Sequence, residues 1–447
     1  AQLWQTFDIK NSDIAGNTIL ATAVDPQGNL YVGTNLGLCR LKGKVWTDFS
    51  MFHEKLENEF VNCLMVDPKG KLWIGTDNFG VIEFNGSKWT EHSQETKRLS
   101  MKFIREIAVD RNDVKWIGVT LGGLVRYDNK EWKKFTAADC GLLSDFILCV
   151  SIDKQNRKWV GTNDGLCVFD AQRWTAYTTA NSRLPHNIVP AIVIDRQDVK
   201  WLGTLGGLVR FDGQEWQVFN TANSPLPSNQ INDLALDPTG CLWIATQEGV
   251  ALYDRQGHWR VFSPKSAPLP GKVVNNITID AQGNKWFGTD FYGLVRYSGQ
   301  VIQGTVRDAK GMPKAGVTVS LGRYTAETDA QGVYYLEVAS GTSGALTPSL
   351  GGYEFEPAQM PLTSVGNCLF GKDFTISSGM VAKGNSTEKI SVEPFLGEGY
   401  IVIHMESAVA EVEFQDQQGK SIRTIPQYKN GARITITKMP RLNYTLF

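Results

Sequence analysis

The sequence predicts an all-β chain: a seven-bladed β-propeller whose N-terminal strand closes the seventh blade, followed by two small β-sandwich domains. Three observations carry this expectation. A turn-strand-turn unit recurs seven times within the first 300 residues. Each period holds four short strand-like segments and no 3.6-residue apolar pattern. Beyond residue 300 the repeat stops and apolar and polar residues alternate between turn signals.

The repeat is anchored by the turn aspartates Asp25, Asp67, Asp110, Asp153, Asp195, Asp237 and Asp280, spaced 42 or 43 residues apart. Six residues after each stands an aromatic: Tyr31, Trp73, Trp116, Trp159, Trp201, Trp243 and Trp286. Gly-Thr follows, as at Gly33-Thr34 and Gly161-Thr162, with Gly118-Val119 and Ala245-Thr246 as variants. A Gly-Leu strand and a Trp-x-x-aromatic strand complete the unit, as at Gly123 to Tyr127 and Trp132 to Phe135. A period near 42 with four strands is that of a propeller blade, whose faces are buried only by stacking on neighbours. All 13 tryptophans fall in repeat positions, which assigns them to packing between blades. The expected tryptophan is missing near Val301, whereas Trp4 precedes the first full unit. Residues 3–8 are therefore expected to supply the outer strand of the last blade, which removes two sheet edges.

The pattern Ile-x-x-Ile-x-x-Asp-x-x-Gly-x-x-Trp-Ile-Gly-Thr-x-x-Gly-Leu, matched closely by residues 229–251, resembles the two-component regulator propeller family. The resemblance covers about residues 1–300. It implies a sensor-like propeller, since in that family such rings form periplasmic sensor regions of histidine kinases and report on glycans. A single ring is expected here, with no kinase or receiver pattern.

The domain boundaries follow from the change of pattern: 1–299 for the propeller, 300–377 for the first sandwich and 378–447 for the second. Ile302 to Val319, Thr328 to Leu336 and Tyr353 to Pro357 alternate around Asp/Gly turns. They resemble carboxypeptidase-regulatory-like or Cna-B-like domains, which implies a spacer or adhesion module. Ser377 to Thr387 reads as a polar linker. Tyr400 to His404 and Val412 to Phe414 alternate again, with a turn at Asp416 to Gly419. This segment looks like a degenerate type IX secretion C-terminal sorting domain, with Glu393-Pro-Phe395 and Leu442-Asn-Tyr444 in place of its usual motifs.

Composition narrows the function. The net charge of −1 argues against a nucleic-acid footprint. No run of 18 apolar residues is present, so no membrane helix is expected. The chain opens Ala1-Gln2-Leu3, which fits a secreted protein after signal cleavage or a trimmed chain. A periplasmic or cell-surface bacterial location is expected. The seven cysteines lack CxxC spacing and read as buried free thiols. The five histidines are isolated, and no nucleophile elbow or His-Glu-x-x-His motif occurs. No catalytic residue, metal or cofactor is nominated.

Function should lie where the copies differ. Five and four residues before the turn aspartate, three repeats are apolar: Leu20-Ala21, Leu148-Cys149 and Pro190-Ala191. The exceptions are Asn62, Arg105-Glu106, Asn232-Asp233 and Asn275-Asn276, expected at the channel mouth. The loops after Gly-Thr add Asp77-Asn78-Phe79, Gln247-Glu248 and Asp290-Phe291-Tyr292. Amide, carboxylate and aromatic groups together suit carbohydrate. The expected function is non-enzymatic recognition of an oligosaccharide or an envelope protein partner, against a hydrated channel with no ligand. A polysaccharide lyase or glycoside hydrolase at the mouth, and a structural surface protein, are the alternatives.

Overall fold

A computed structural model describes residues 2–92 and 102–378, and beyond them only the strands Ile390–Pro394, Ile401–Met405, Glu411–Gln415, Ser421–Pro426, Arg433–Ile436 and Thr445–Leu446. The chain divides into two compact units, Ala1–Gly299 and Gln300–Phe447.

In the first unit each repeat forms one four-stranded antiparallel sheet with its strands in chain order. The first strands are Ile19–Val24, Val61–Val66, Ile104–Val109, Ile147–Ile152, Ala191–Ile194, Ile231–Leu236 and Val274–Ile279. Each abuts the first strand of the next repeat, and the last abuts Ile19–Val24, so the series closes on itself. The seventh sheet takes its fourth strand from the chain start: Trp4–Phe7 pairs antiparallel with Leu294–Tyr297, Trp4 opposite Tyr297.

The six-residue spacing from aspartate to tryptophan has a direct cause. One oxygen of Asp67 accepts the backbone N–H groups of Lys69 and Lys71, both at 2.9 Å, which closes the turn. The other accepts the indole N–H of Trp73 at 3.1 Å. The same indole bond joins Asp110 to Trp116, Asp153 to Trp159, Asp195 to Trp201, Asp237 to Trp243 and Asp280 to Trp286. A buried indole needs a partner, and the turn provides one.

Neighbouring sheets are locked by a further group that the sequence reading passed over, the residue before the tryptophan. Lys158 is almost fully buried, reaches Asp110 of the preceding repeat at 3.0 Å, and lies 4.7 Å above the ring of Trp116. Lys115, Lys200 and Lys285 sit in the same way over Trp73, Trp159 and Trp243. Leu242 takes this position in the sixth repeat, where Arg255 reaches Asp195 at 2.6 Å instead.

The second unit contains two four-stranded sheets between residues 299 and 378, in one of which Gly299–Arg307 and Phe374–Ser378 run parallel. Val306, Val319, Tyr334, Leu346 and Phe374 share one buried cluster. The later strands form two three-stranded sheets. Most of the expected linker, the Asp416–Gly419 turn and Leu442-Asn-Tyr444 lie outside the described residues.

Candidate ligand-binding face

The polar exceptions among the first strands coincide with a backbone irregularity. In six repeats the pairing of the first strand with the second skips one residue, and the skipped residue is Leu20, Asn62, Arg105, Leu148, Asn232 or Asn275. Pro190 holds the equivalent place in the fifth repeat, where the strand starts only at Ala191. A β-bulge turns the extra side chain out of the alternation, so a polar group is tolerated there. The bulge residue is followed by Ala21, Cys63, Glu106, Cys149, Ala191, Asp233 or Asn276, each paired with the glycine of Gly-Thr or with Ala245.

That glycine is required by close approach, beyond the hairpin role the sequence suggests. A Cβ on Gly161 would stand 2.2 Å from the carbonyl oxygen of Val189 in the next repeat. The threonine beside it pins the following loop: in six repeats its hydroxyl donates to a glycine carbonyl at 2.6 to 3.0 Å. Val119 lacks the hydroxyl, and in the turn after it Leu121 adopts left-handed backbone.

Bulges and loops come together at one end of the sheets. Asn62 donates to the Asp77 carboxylate. Asn78 donates through its backbone and side chain to the two oxygens of buried Glu59, at 2.7 and 3.0 Å. Glu59 escaped the sequence reading because it precedes the strand and has no counterpart in the motif. Asn232 accepts from Gln247 at 2.9 Å and donates to Val274 O at 2.8 Å. Asn275 donates to Ile19 O at 3.0 Å. Buried Asn276 lies 2.9 Å from the hydroxyl of Thr22, which contacts Thr278 at 2.7 Å. These amides hold loops and neighbouring strands. Exposed Glu248 pairs with Lys272 at 3.0 Å. The backbone N–H of Asp290 donates to Val273 O at 3.4 Å.

A family model described as Two component regulator propeller matches residues 55–78 and 225–248. Similar solved structures include the extracellular domains of two hybrid two component systems from B. thetaiotaomicron. One is 17% identical with a TM-score of 0.60 and covers 84% of this chain and 57% of that one. The other is 18% identical with a TM-score of 0.57 and covers 91% and 58%. The fold is a β-propeller. Virginiamycin B lyase from Staphylococcus aureus shares it at 12% identity and a TM-score of 0.53, over 66% of this chain and 98% of the lyase. The chain spans little more than half the length of the two sensor-system domains. A comparison with curated proteins gives no match. Among the described residues no helix is long and apolar enough to cross a membrane.

Asp233, three blades from Glu106, acts on the Glu106 carboxyl. Burial, then the charge of Asp233, push the Glu106 carboxyl up to about 8. Burial raises Asp233 to about 6, opposed by the N–H groups of Ile277 and Leu234, each donating to it at 2.8 Å. At neutral pH the pair holds one charge, fixed on the carboxylate that the backbone solvates.

The loops present large apolar groups to solvent. Phe103, Leu121 and Phe291 all adopt left-handed backbone, with φ of 55°, 58° and 67°. Leu121 is 76% and Phe291 71% exposed, with Tyr292 and Phe103 about half exposed and Phe79 somewhat less. Bulky residues are strained in this conformation. These five residues lie on the second, third and seventh blades only. The loops of the fourth and sixth blades carry Asn163-Asp164 and Gln247-Glu248.

Proposed function

We propose that this chain is a seven-bladed, non-enzymatic propeller of sensor type, acting outside the cytoplasm and followed by β-sandwiches at 300–377 and 378–447. On this reading it binds an oligosaccharide at the bulged end of the propeller. The observation that carries the proposal is the exposed, left-handed placement of Leu121 and Phe291. Strain without burial gains nothing for folding, and such strain clusters at binding sites. Phe79, Arg105, Leu121, Asp290, Phe291 and Tyr292 form the proposed contact set. Asn62, Asp77, Asn78, Asn232, Gln247, Glu248, Asn275 and Asn276 shape it, and Glu106 and Asp233 lie beneath it.

The likeness to extracellular sensor-system domains supports the location and the sensing role. An enzymatic reading would draw on the Glu106–Asp233 pair, but both Asp233 oxygens are occupied by backbone donors. A thermal-shift screen against neutral and acidic oligosaccharides tests the proposal. At least one class should raise the melting temperature without being cleaved. No shift across all polysaccharide classes sinks it.

A further inference from the structure

Four bulge positions carry polar side chains, and three of these are spent on internal bonds: Asn62 on Asp77, Asn232 on Gln247 and Val274, Asn275 on Ile19. Arg105 is the exception. It is exposed, and among the described residues it has no hydrogen-bond or ion-pair partner. Lys102, three residues earlier, is likewise exposed and unpaired. Exposed Phe103 stands between them, fixed by its N–H to Asp77 O at 2.9 Å and by its carbonyl accepting from Thr120 N at 3.1 Å. Among the described residues, this short run therefore carries two cations without a partner and, between them in sequence, an exposed aromatic.

The neighbouring carboxyl does not neutralise Arg105 at neutral pH. Glu106 is held largely protonated by burial and by Asp233, whose own charge is met by two backbone N–H groups. A guanidinium presents paired donors in a plane that matches a carboxylate. Sugar rings offer flat apolar faces for Phe103, Phe291 and Tyr292.

We infer that the ligand is an acidic oligosaccharide, and that Arg105, with Lys102 beside it, receives a uronate carboxylate at the bulge of the third blade. This inference rests on the oligosaccharide reading above and narrows it. Neutral sugars would leave both cations without a counter-charge, whereas a uronate engages them.

The test is titration calorimetry on the full chain with oligogalacturonides, oligoguluronates and oligoglucuronates, each beside its carboxyl-reduced counterpart. At least one acidic series should bind, and its reduced form should bind at least tenfold more weakly. Arg105→Met should weaken the acidic ligand about tenfold to a hundredfold, the range for a charge-assisted hydrogen bond. Arg105→Lys should recover part of that loss, and added salt should weaken the parent more than Arg105→Met. Arg105 is exposed, so these variants should fold as the parent does, checked by their melting temperatures. Neutral oligosaccharides binding as well as acidic ones, or Arg105→Met binding like the parent, overturns the inference and leaves the oligosaccharide reading standing. Binding of an acidic peptide with no oligosaccharide bound overturns both.

Discussion

Glu106 resists ionisation because burial and the charge of Asp233 both oppose it, so its folded-state value stands at about 8 against 4.5 for an unperturbed glutamate. Between these values the unfolded chain has released a proton that the folded chain still holds. Stability therefore falls as pH rises through that window. Asp233 adds a smaller loss between 3.8 and about 6. Asp110, between two blades, acts in the opposite sense. Burial works against the charge of Asp110, but Trp116, Lys158 and two backbone N–H groups outweigh it and lower its value below 3.8. Its contribution is present above that value and is lost as pH falls through the depressed one. Glu106→Gln should thus melt above the parent at pH 8, with the gap closing toward pH 4.5. Calorimetry across that range checks this, and parallel melting curves for the two proteins would contradict it. Neither carboxyl could be singled out by sequence beyond its place in the repeat, because the partner that perturbs Glu106 lies three blades away.

At the scale of the strand and its turn, the blade depends on the glycine before the threonine and on the lysine before the tryptophan. The glycine was legible as a recurring letter, but its reason was not: Gly161 is crowded by the Val189 carbonyl of the following blade. Gly161→Ala should cost about 1–3 kcal/mol, the usual range for overpacking. Gly70→Ala serves as the control, since its Cβ meets nothing within 4 Å, although its φ of +80° still carries some strain. Urea unfolding followed by tryptophan fluorescence separates the two. Lys158→Met should cost roughly 3 kcal/mol by leaving Asp110 buried without its cation. Replacing Asp110 by Asn in the same chain should recover part of that loss. A Lys158→Met chain as stable as the parent would assign no stabilising role to this pair. Lys115, Lys158, Lys200 and Lys285 were visible before their tryptophans, yet a lysine in a strand reads as a solvated residue until the facing blade is known.

For the whole propeller, closure rests on residues that are far apart in the chain. The ring of Trp4 lies tilted against that of Tyr297 at 4.3 Å, and Leu3 O accepts the backbone N–H of Ser298 at 2.8 Å. The missing tryptophan near Val301 and the early Trp4 were sufficient to anticipate this pairing. Trp4→Ala should cost about 3–5 kcal/mol. Removing residues 1–8 should lower the melting temperature further and expose the edge of Leu294–Tyr297. Sedimentation should then show concentration-dependent association, and a truncated chain that stays monomeric with the parent melting temperature would refute the closure argument. The seam between the seventh and first blades also differs from the others. Leu30 stands where the third, fourth, fifth and seventh blades place lysine, and at this seam the side chains of Thr22, Asn276 and Thr278 join the inner strands.

By itself the sequence determined the blade: an aspartate turn and an indole six residues later satisfy each other within one short segment, and that local bond recurs in every tryptophan-bearing copy. It also indicated which copies depart from the rule. The tertiary structure decided what the departures do, because a bulge side chain meets groups from its own loop or from the next blade. Asn62, Asn232 and Asn275 find such partners and become part of the scaffold. Arg105 stands at the same bulge with none among the described residues, and its charge faces solvent.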